Sequence, residues 1–405
     1  MGPSLDWSTA RAGAHAAGRA ARLEPIEVEL DRADGLTLAA GLVTLTDLPA
    51  FPTSSVDGYA TRGPGPWRVV SRVLAGTVPE PLRDGEAAEI ATGAMVPAGT
   101  EQIIRTEDSA LTDGRVTGTP RPVPEWREPG DEAGKGEELI AAGSPVTPAV
   151  VGLAASCGYA TLVVQPAARV AVVIFGDELL TAGPPGDGRV RDALGPQLPA
   201  WLRRLGAHPV AGFDPRGPVE DTLDAHVSAI RSALEVADLV CTTGGTMHGP
   251  VDHLHPALAA LEAEYITDTV AVRPGYPMLL ARVGPGSGDA RPRFIAGLPG
   301  NPQSAIVALV SLVEPLLRGL SGRGTPPLRR VSLGAPITGR GEHTHLALVQ
   351  VDADGCAHPV GHAGSSMLRG LARADGFAVI EPGTAGNPGD VVPFVPLPLT
   401  NGARP

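Results

Sequence analysis

Two rhythms of apolar and polar residues divide the chain. From Phe51 to about Trp126, the segments WRVVSRVLAG, AAEIATG, EQIIRTED and GRVTG are short, rich in Val and Ile and separated by Gly/Pro turns, a spacing that predicts a small β domain. From Arg169 the rhythm changes. RVAVVIF is a continuous apolar run, PQLPAWLRRLG predicts a helix, PVEDTLDAHVSAIRSALEVA a longer helix, ADLVCTTGG another apolar strand and NPQSAIVALVSLVEPLLRGL a closing helix. Strands alternating with helices are the signature of a parallel sheet covered on both faces. After Gly322 short strands return in RRVSLGAP, THLALVQVD, AHPVG and GFAVIEPG, which predicts a second small β domain.

At the front, residues 7–23 read as one Ala/Arg-rich helix, and IEVELDRADGLTLAAGLVTL suggests a short strand, a turn and another helix or strand before Pro49 and Pro52 break the pattern. The segment ELIAAGSPVTPAVVGLAASCGYATLVVQP predicts a strand or loop and then a helix, with Pro148 near its first turn and Gly158 past its end, able to pack back on the opening module. GPGSGDARPR at 284–293 reads as a hairpin tip or loop rather than a domain linker.

Composition narrows the classes. The 405 residues contain 52 Gly and 42 Pro against 43% hydrophobic residues, which implies many short, turn-rich elements rather than disorder and excludes an all-helical protein. A net charge of −12 removes the footprint of non-specific binding to nucleic acid or anionic lipid, so an anionic ligand must be held locally. Lys135 is the only lysine, which makes arginine the default cation. Cys157, Cys241 and Cys356 form neither a disulfide framework nor a zinc spacing, and the cytosol is the natural compartment. The N-terminus carries no apolar signal core, and no run of 18 apolar residues occurs.

Several segments can carry chemistry. Gly244, Gly245 and Gly249 follow an apolar strand, with a helix expected from Val251; such a turn lets backbone N–H groups cradle an anion, or merely reverses the chain. Neither a GxxxxGK[ST] loop nor a GxGxxG follows the first α/β strand, so a P-loop nucleotidase and a dinucleotide oxidoreductase are unsupported. Asp177 and Glu178 end the first α/β strand, either as ligands of the crevice or as helix-capping acids. Glu178 and Asp252 are placed to converge on one hard cation, and a partly hydrated Mg²⁺ shared with phosphate suits two carboxylates. FIAGLPGNPQSA ends a strand and opens a helix, where Pro302 and the Gly300-Asn301 turn build a rigid anion site near Ser304. VRPGYPM adds a rigid loop around Gly275. Asp57 and Thr92 alone are ordinary turn residues, and the histidines at 248, 253 and 255 match no zinc spacing and suit a loop tip.

Taken in order, FPTSSVDGYA, ATGAMVPAG, GDEL, TTGG…GPVD, RPGYP and GLPGNPQSA resemble the molybdopterin molybdenumtransferase family, which includes bacterial MoeA and the gephyrin E domain, through nearly the whole chain. The layout that the resemblance implies is α/β plus β and multidomain. A split N-terminal α+β domain takes residues 1–46 and 128–167, an inserted β domain 47–127, a parallel-sheet molybdopterin-binding α/β domain 168–322, and a C-terminal β domain 323–405. It further implies an elongated homodimer with its active site between the α/β domain of one subunit and the β insertion of the other. The implied activity is insertion of molybdate into adenylated molybdopterin with Mg²⁺-dependent release of AMP. A molybdopterin-adenylating protein and molybdoenzyme apoproteins are the implied partners.

Carried over by position, the catalytic set is Asp57, Thr92, Glu132, Glu178, Asp221 and Asp252, with Glu178 and Asp252 as metal ligands. Substrate contacts fall on Gly244, Gly245, Thr246, Gly249, Arg273, Pro274, Gly275, Pro299, Gly300, Asn301, Pro302 and Ser304. The chain departs from the family where Phe175 precedes GDEL, where Met247 and Tyr276 replace a polar residue and a lysine, and where Asp192-Ala193-Leu194 replaces an Asp-Ser/Thr-Asn run. The expectation is therefore an active molybdenum-inserting enzyme, with a weakened or inactive pterin-binding or scaffold paralogue as the alternative.

Overall fold

The computed structural model describes residues 4–210, 213, 217–247, 252–284 and 291–398. They fall into two compact units, one of Met1–Ile26, Gly35–Thr37 and Gln165–Pro405, the other of Glu27–Asp34 and Leu38–Val164.

In the second unit a six-stranded sheet runs in the order Gln102–Arg105, Gly58–Thr61, Glu86–Ile90, Trp67–Val73, Arg115–Gly118, Ser109–Thr112. Its apolar side chains Ala60, Val73, Leu82, Ala88, Ile90 and Ile103 form one core. Gly58 is required because a Cβ there would collide with the Ile104 carbonyl of the paired strand. The chain then returns to its own start: Glu138–Ile140 pairs antiparallel with Leu42–Val43, and Leu48 N donates to Ala133 O at 2.9 Å. The helix Pro148–Ser156 follows, capped by Thr147 Oγ1, which accepts from Val150 N at 3.3 Å, and stopped at Gly158 with φ +98°.

The first unit is organised by a sheet of order His208–Pro209, Arg169–Ile174, Leu239–Thr243, Arg293–Leu298, Leu279–Val283, Glu264–Thr267. The first four strands are parallel, as the apolar runs predict. Leu279–Val283 runs antiparallel to both of its neighbours, Arg293–Leu298 and Glu264–Thr267, which corrects the all-parallel expectation. Only residues 284–292 separate Leu279–Val283 from Arg293–Leu298, too few for a crossover, so the hairpin reading of that segment forces the strand to reverse. Near the C-terminus, Thr344–Val351, Cys356–Pro359, Arg329–Leu333, Val391–Pro396 and Gly376–Ile380 pair in sequence, and the last pairs back with the first, closing a five-stranded barrel without free edges.

The opening helix, Trp7–Ala20, is shorter than the expected 7–23. Asp6 caps it by accepting from Thr9 N at 2.9 Å and Ser8 Oγ at 2.6 Å, bonds that hold the Asp6 carboxyl down at about 2. Trp7, Ala10, Ala14 and Gly18 form its buried stripe, which lies on the closing helix. That closing helix runs as Pro302–Ala308, a π-helical turn Leu309–Val313 and Glu314–Leu320. Pro315 has no N–H to donate and its ring crowds the Ser311 carbonyl, which accounts for the widened turn before it. Residues 302–320 have the length and hydropathy of a membrane span but are 89% buried inside the protein, as a core helix is.

The two helices run side by side in the same direction. Trp7 Nε1 donates to Ser311 Oγ at 2.8 Å, Arg11 reaches the Val310 carbonyl and Glu314, and Leu23 N donates to Leu320 O at 3.0 Å. Gly18 and Gly319 make the close approach: a Cβ on either would run into backbone of the other helix. Alanine is about 1 kcal/mol better than glycine inside a helix, but forcing a methyl into a full contact costs roughly 1–3 kcal/mol, so packing decides. Gly18→Ala and Gly319→Ala are therefore expected to lower Tm, whereas Gly13→Ala, with nothing within 4 Å of its new methyl, is expected to raise it. Thermal unfolding of the three variants checks the sign of each.

Candidate active site

Parallel register brings three strand ends level. Ile174 pairs with Thr243 and Thr243 with Leu298, so Phe175, Gly244 and Pro299 leave the sheet side by side at its carboxyl edge, where open parallel sheets bind ligands. Gly244 N donates to Leu298 O at 3.0 Å, and Gly300 lies so close that a Cβ on it would touch Gly244 Cα at 3.6 Å. Gly244 and Gly245 both take left-handed φ, +85° and +65°, which turns the backbone across the strand ends. Thr246 is buried, while Gly300 and Asn301 face solvent. Gly249 lies outside the described residues, as do His248 and Val251.

The acids of the sheet edge are partly gathered. Phe175 and Gly176 pair with Val219, which sets Asp221 beside the first strand end. Asp177 N donates to Asp221 Oδ2 at 3.4 Å and Asp221 N to Asp177 Oδ1 at 3.3 Å, a reciprocal pair that ties the two loops together. The Glu178 carboxylate folds back over Gly176, occupying the space a Cβ would need. Asp252 is half-buried at the far side of the glycine loop, just before the helix Leu254–Ala260. Among the described residues no group of three or more His, Cys, Asp or Glu side chains could hold a metal alone. Two carboxylates still suit Mg²⁺, which keeps its waters and completes its shell with substrate phosphate.

The Gly275 loop packs against the closing helix, its Cα 's missing side chain leaving room for Ser304 O and Val307. The first turn of that helix is not open as expected. Gln303 N and Ser304 N both donate to Ser365 O, at 2.9 and 3.3 Å, and Pro302 has no N–H, so these amides are spent within the protein. Pro299 is buried, and Gly300 and Asn301 are the exposed residues of this turn.

In the other unit Asp57 and Thr92 meet. Asp57 Oδ1 accepts from Thr92 N at 2.7 Å and Thr92 Oγ1 at 3.0 Å, and these bonds hold the exposed Asp57 carboxyl below its usual range. Glu132 is also exposed, its amide donating to Leu48 O at 2.8 Å, whereas Asp131 Oδ2 accepts from Glu128 N at 2.7 Å and closes the turn.

The positions that depart from the family are filled by packing. Phe175 stacks face to face on His226, ring centroids 3.6 Å apart and planes 8° off parallel, and His253 meets His226 edge-on at 5.6 Å. Arg273 sits over the Tyr276 ring at 5.1 Å, which keeps a positive charge beside the loop that lacks a lysine. Pro274 lies between them, half-buried. Asp192 Oδ1 accepts from Leu194 N and Gly195 N, both at 2.9 Å, and starts the helix Leu194–Arg204. Met247 is 54% exposed.

The histidine expectation also changes. His253 and His255 sit at the start of the helix Leu254–Ala260 rather than at a loop tip, and His255 Nδ1 meets Tyr265 Oη at 2.7 Å. His226 is a residue that pattern reasoning missed. It is fully buried, neither ring nitrogen has a hydrogen-bond partner among the described residues, and Nε2 faces Asp221 Oδ1 at 3.5 Å. Its signal lay in the helix Leu223–Val236, where it shares the buried stripe of Ala229, Ile230, Ala233 and Leu234.

The matches with known proteins follow the same plan. Residues 7–158 match the MoeA N-terminal region (domain I and II), 171–319 a probable molybdopterin binding domain, and 330–397 the MoeA C-terminal region (domain IV). A molybdopterin biosynthesis MoeA protein from Pyrococcus horikoshii OT3 shares the fold, with TM-score 0.78 over 97% of this chain and 99% of that one at 19% identity. The chain is 33% identical over 378 residues to molybdopterin molybdenumtransferase 2 of Mycobacterium tuberculosis, covering 87% of this chain and 90% of the relative. A molybdopterin molybdenumtransferase of Staphylococcus aureus is 28% identical over 312 residues, 73% of this chain and 72% of the relative. The class defined by fold and site is thus that of proteins built around a molybdopterin-binding α/β domain. This chain belongs to the molybdopterin molybdenumtransferase family.

Burial holds the His226 imidazole below the ordinary histidine value of 6.5, with Asp221 and Asp177 opposing the shift and His253 adding to it. The folded chain thus binds this proton less well than the unfolded chain does. Its contribution to stability is full above pH 6.5 and is lost as pH falls from there through the lowered folded value. Tm measured from pH 7.5 to 5 is expected to fall, and His226→Leu, which keeps the buried volume, is expected to flatten that fall. An identical slope in the variant would assign the acid sensitivity elsewhere.

Proposed function

We propose that this chain, a transferase of molybdenum cofactor biosynthesis, inserts molybdate into adenylated molybdopterin with Mg²⁺-dependent release of AMP. The observation that carries the reading is the level meeting of the Phe175–Glu178, Gly244–Thr246 and Pro299–Asn301 loops at one sheet edge. Glu178 and Asp252 would hold Mg²⁺, which supplies positive charge to the anhydride phosphates when bound. Left-handed Gly244 and Gly245 let the backbone approach a phosphate without a side chain in the way, and Arg273 adds a fixed cation in an otherwise acidic chain. Asp221, tied to Asp177, keeps the first loop in place. No observation favours the binding-only alternative.

The proposed working form is a cytoplasmic homodimer in which the Asp57–Thr92 turn of one copy serves the strand-end crevice of the other, delivering its product to molybdoenzyme apoproteins. Symmetric pairing is the common case for soluble oligomers. Thr92 donates to one oxygen of the Asp57 carboxylate and lowers its proton affinity further, leaving the other oxygen for the second copy's substrate.

Two measurements test this. With adenylated molybdopterin, molybdate and Mg²⁺, AMP release by the parent is expected, and Asp252→Asn is expected to lower it by about two orders of magnitude while the fold survives. Mixing the inactive Asp57→Asn and Asp252→Asn proteins, then allowing subunits to exchange, is expected to restore about a quarter of parent activity, because half the dimers are mixed and each carries one intact site. No recovery on mixing would place both residues in the same copy's site or in none.

A further inference from the structure

The parallel packing of the opening and closing helices ends them at the same place, at the opposite end of the sheet from the glycine loops. The strand Arg293–Leu298 runs toward the site, and the closing helix runs back from it to Leu320. There His15, Arg19, Arg22, Gly322, Arg323 and Gly324 line a cleft of about 300 Å³. Three guanidiniums share it, and among the described residues none of the three has a carboxylate partner. The nearest acid on these helices, Glu314, is already engaged by Arg11 at 3.3 Å and Arg318 at 2.8 Å.

The arginines are held by neutral oxygens. Arg323 Nε donates to Thr37 Oγ1 at 2.6 Å and Nη2 to Gly35 O at 2.7 Å, and the His15 ring meets Arg323 O at 2.8 Å. Gln165, oriented so that both ends of its amide are satisfied, donates to Leu23 O and accepts from Arg22 Nη2 and Nε at 2.9 and 3.1 Å. Arg22 itself lies across Gly322, whose φ of +69° and missing Cβ leave it room. Burial, and to a lesser extent the neighbouring Arg318, weaken the proton affinity of Arg323.

Helix ends alone do not account for this much charge. Basic residues favour helix C-termini, but each terminus is equivalent to about −0.5 charge, so the two together offset roughly one of the three guanidiniums. An excess of about two positive charges remains in a concave site of a chain whose net charge is −12. We propose that this cleft binds a phosphate dianion, either free phosphate or the phosphoryl group of a small phosphorylated metabolite, at a site separate from the strand-end crevice. Guanidinium forks match phosphate oxygens in pairs, and Arg19, exposed and without a partner among the described residues, is the arm that closes on the ligand.

The test compares Tm of the full chain in about 10 mM inorganic phosphate and in sodium chloride of equal ionic strength, with glycerol phosphate as a third arm. A rise of several degrees in phosphate over chloride is expected, and Arg19→Gln with Arg22→Gln is expected to abolish it while AMP release stays at the parent level. Arg323 is left intact because it also ties Gly35 and Thr37 in place. A larger rise with glycerol phosphate would identify a phosphorylated metabolite as the ligand, and an equal or smaller one free phosphate. No rise in either arm would overturn the proposal. So would a rise that survives the double substitution, which would put the phosphate in the strand-end crevice.

Discussion

The structure depends on the parallel register of three buried strands. Leu239–Thr243 is covered on both faces and hydrogen-bonded on both sides, so it cannot slide against Arg169–Ile174 or Arg293–Leu298 without breaking both ladders and unburying its side chains. Because the three strands stop level, the loops after them start level. Everything that distinguishes the site follows from those starting points: the left-handed glycines of one loop, the Gly300 approach from the next, and the Asp177–Asp221 tie on the third side. The helix that returns from Pro302 carries the same order to the far end of the sheet, where its junction with the opening helix gathers the arginines.

Much of this was legible in the residues because it rests on short-range rules. Continuous apolar runs gave the central strands, Pro148 and Gly158 marked a helix start and stop, and the glycines of TTGG and GLPGNP marked turns at strand ends. Long-range facts were not legible. The antiparallel edge depends on how few residues join two strands, which pattern alone weighs less than alternation of strand and helix. The capping of Gln303 N and Ser304 N by Ser365 comes from a segment some 60 residues away that no local rule connects to the helix. His226 was hidden for a different reason: a polar residue on an apolar stripe registers as an interruption, and its stacking on Phe175 becomes visible only when helix and strand end are brought together.

The departures from the family acquire a physical sense from their neighbours. Phe175 is half of a stacked pair with His226, so reading it only as a lost polar contact misses what it supports: the imidazole fills space beside the glycine loop, where a Cβ on Gly245 would meet it at 3.8 Å. Tyr276 is a platform for Arg273. In both places the aromatic ring packs against a neighbouring side chain beside the strand-end loops, and Arg273 keeps a positive charge next to Tyr276.

In the function proposed above, the three level loops at the carboxyl edge of the α/β sheet form the substrate site. A crystal structure of the protein soaked with adenylated molybdopterin tests it most directly. Phosphate density is expected against the Gly244–Gly245 backbone and the Gly300–Asn301 turn, with Glu178 and Asp252 on the metal side. A ligand bound away from this edge, with the three loops facing only solvent, would contradict it.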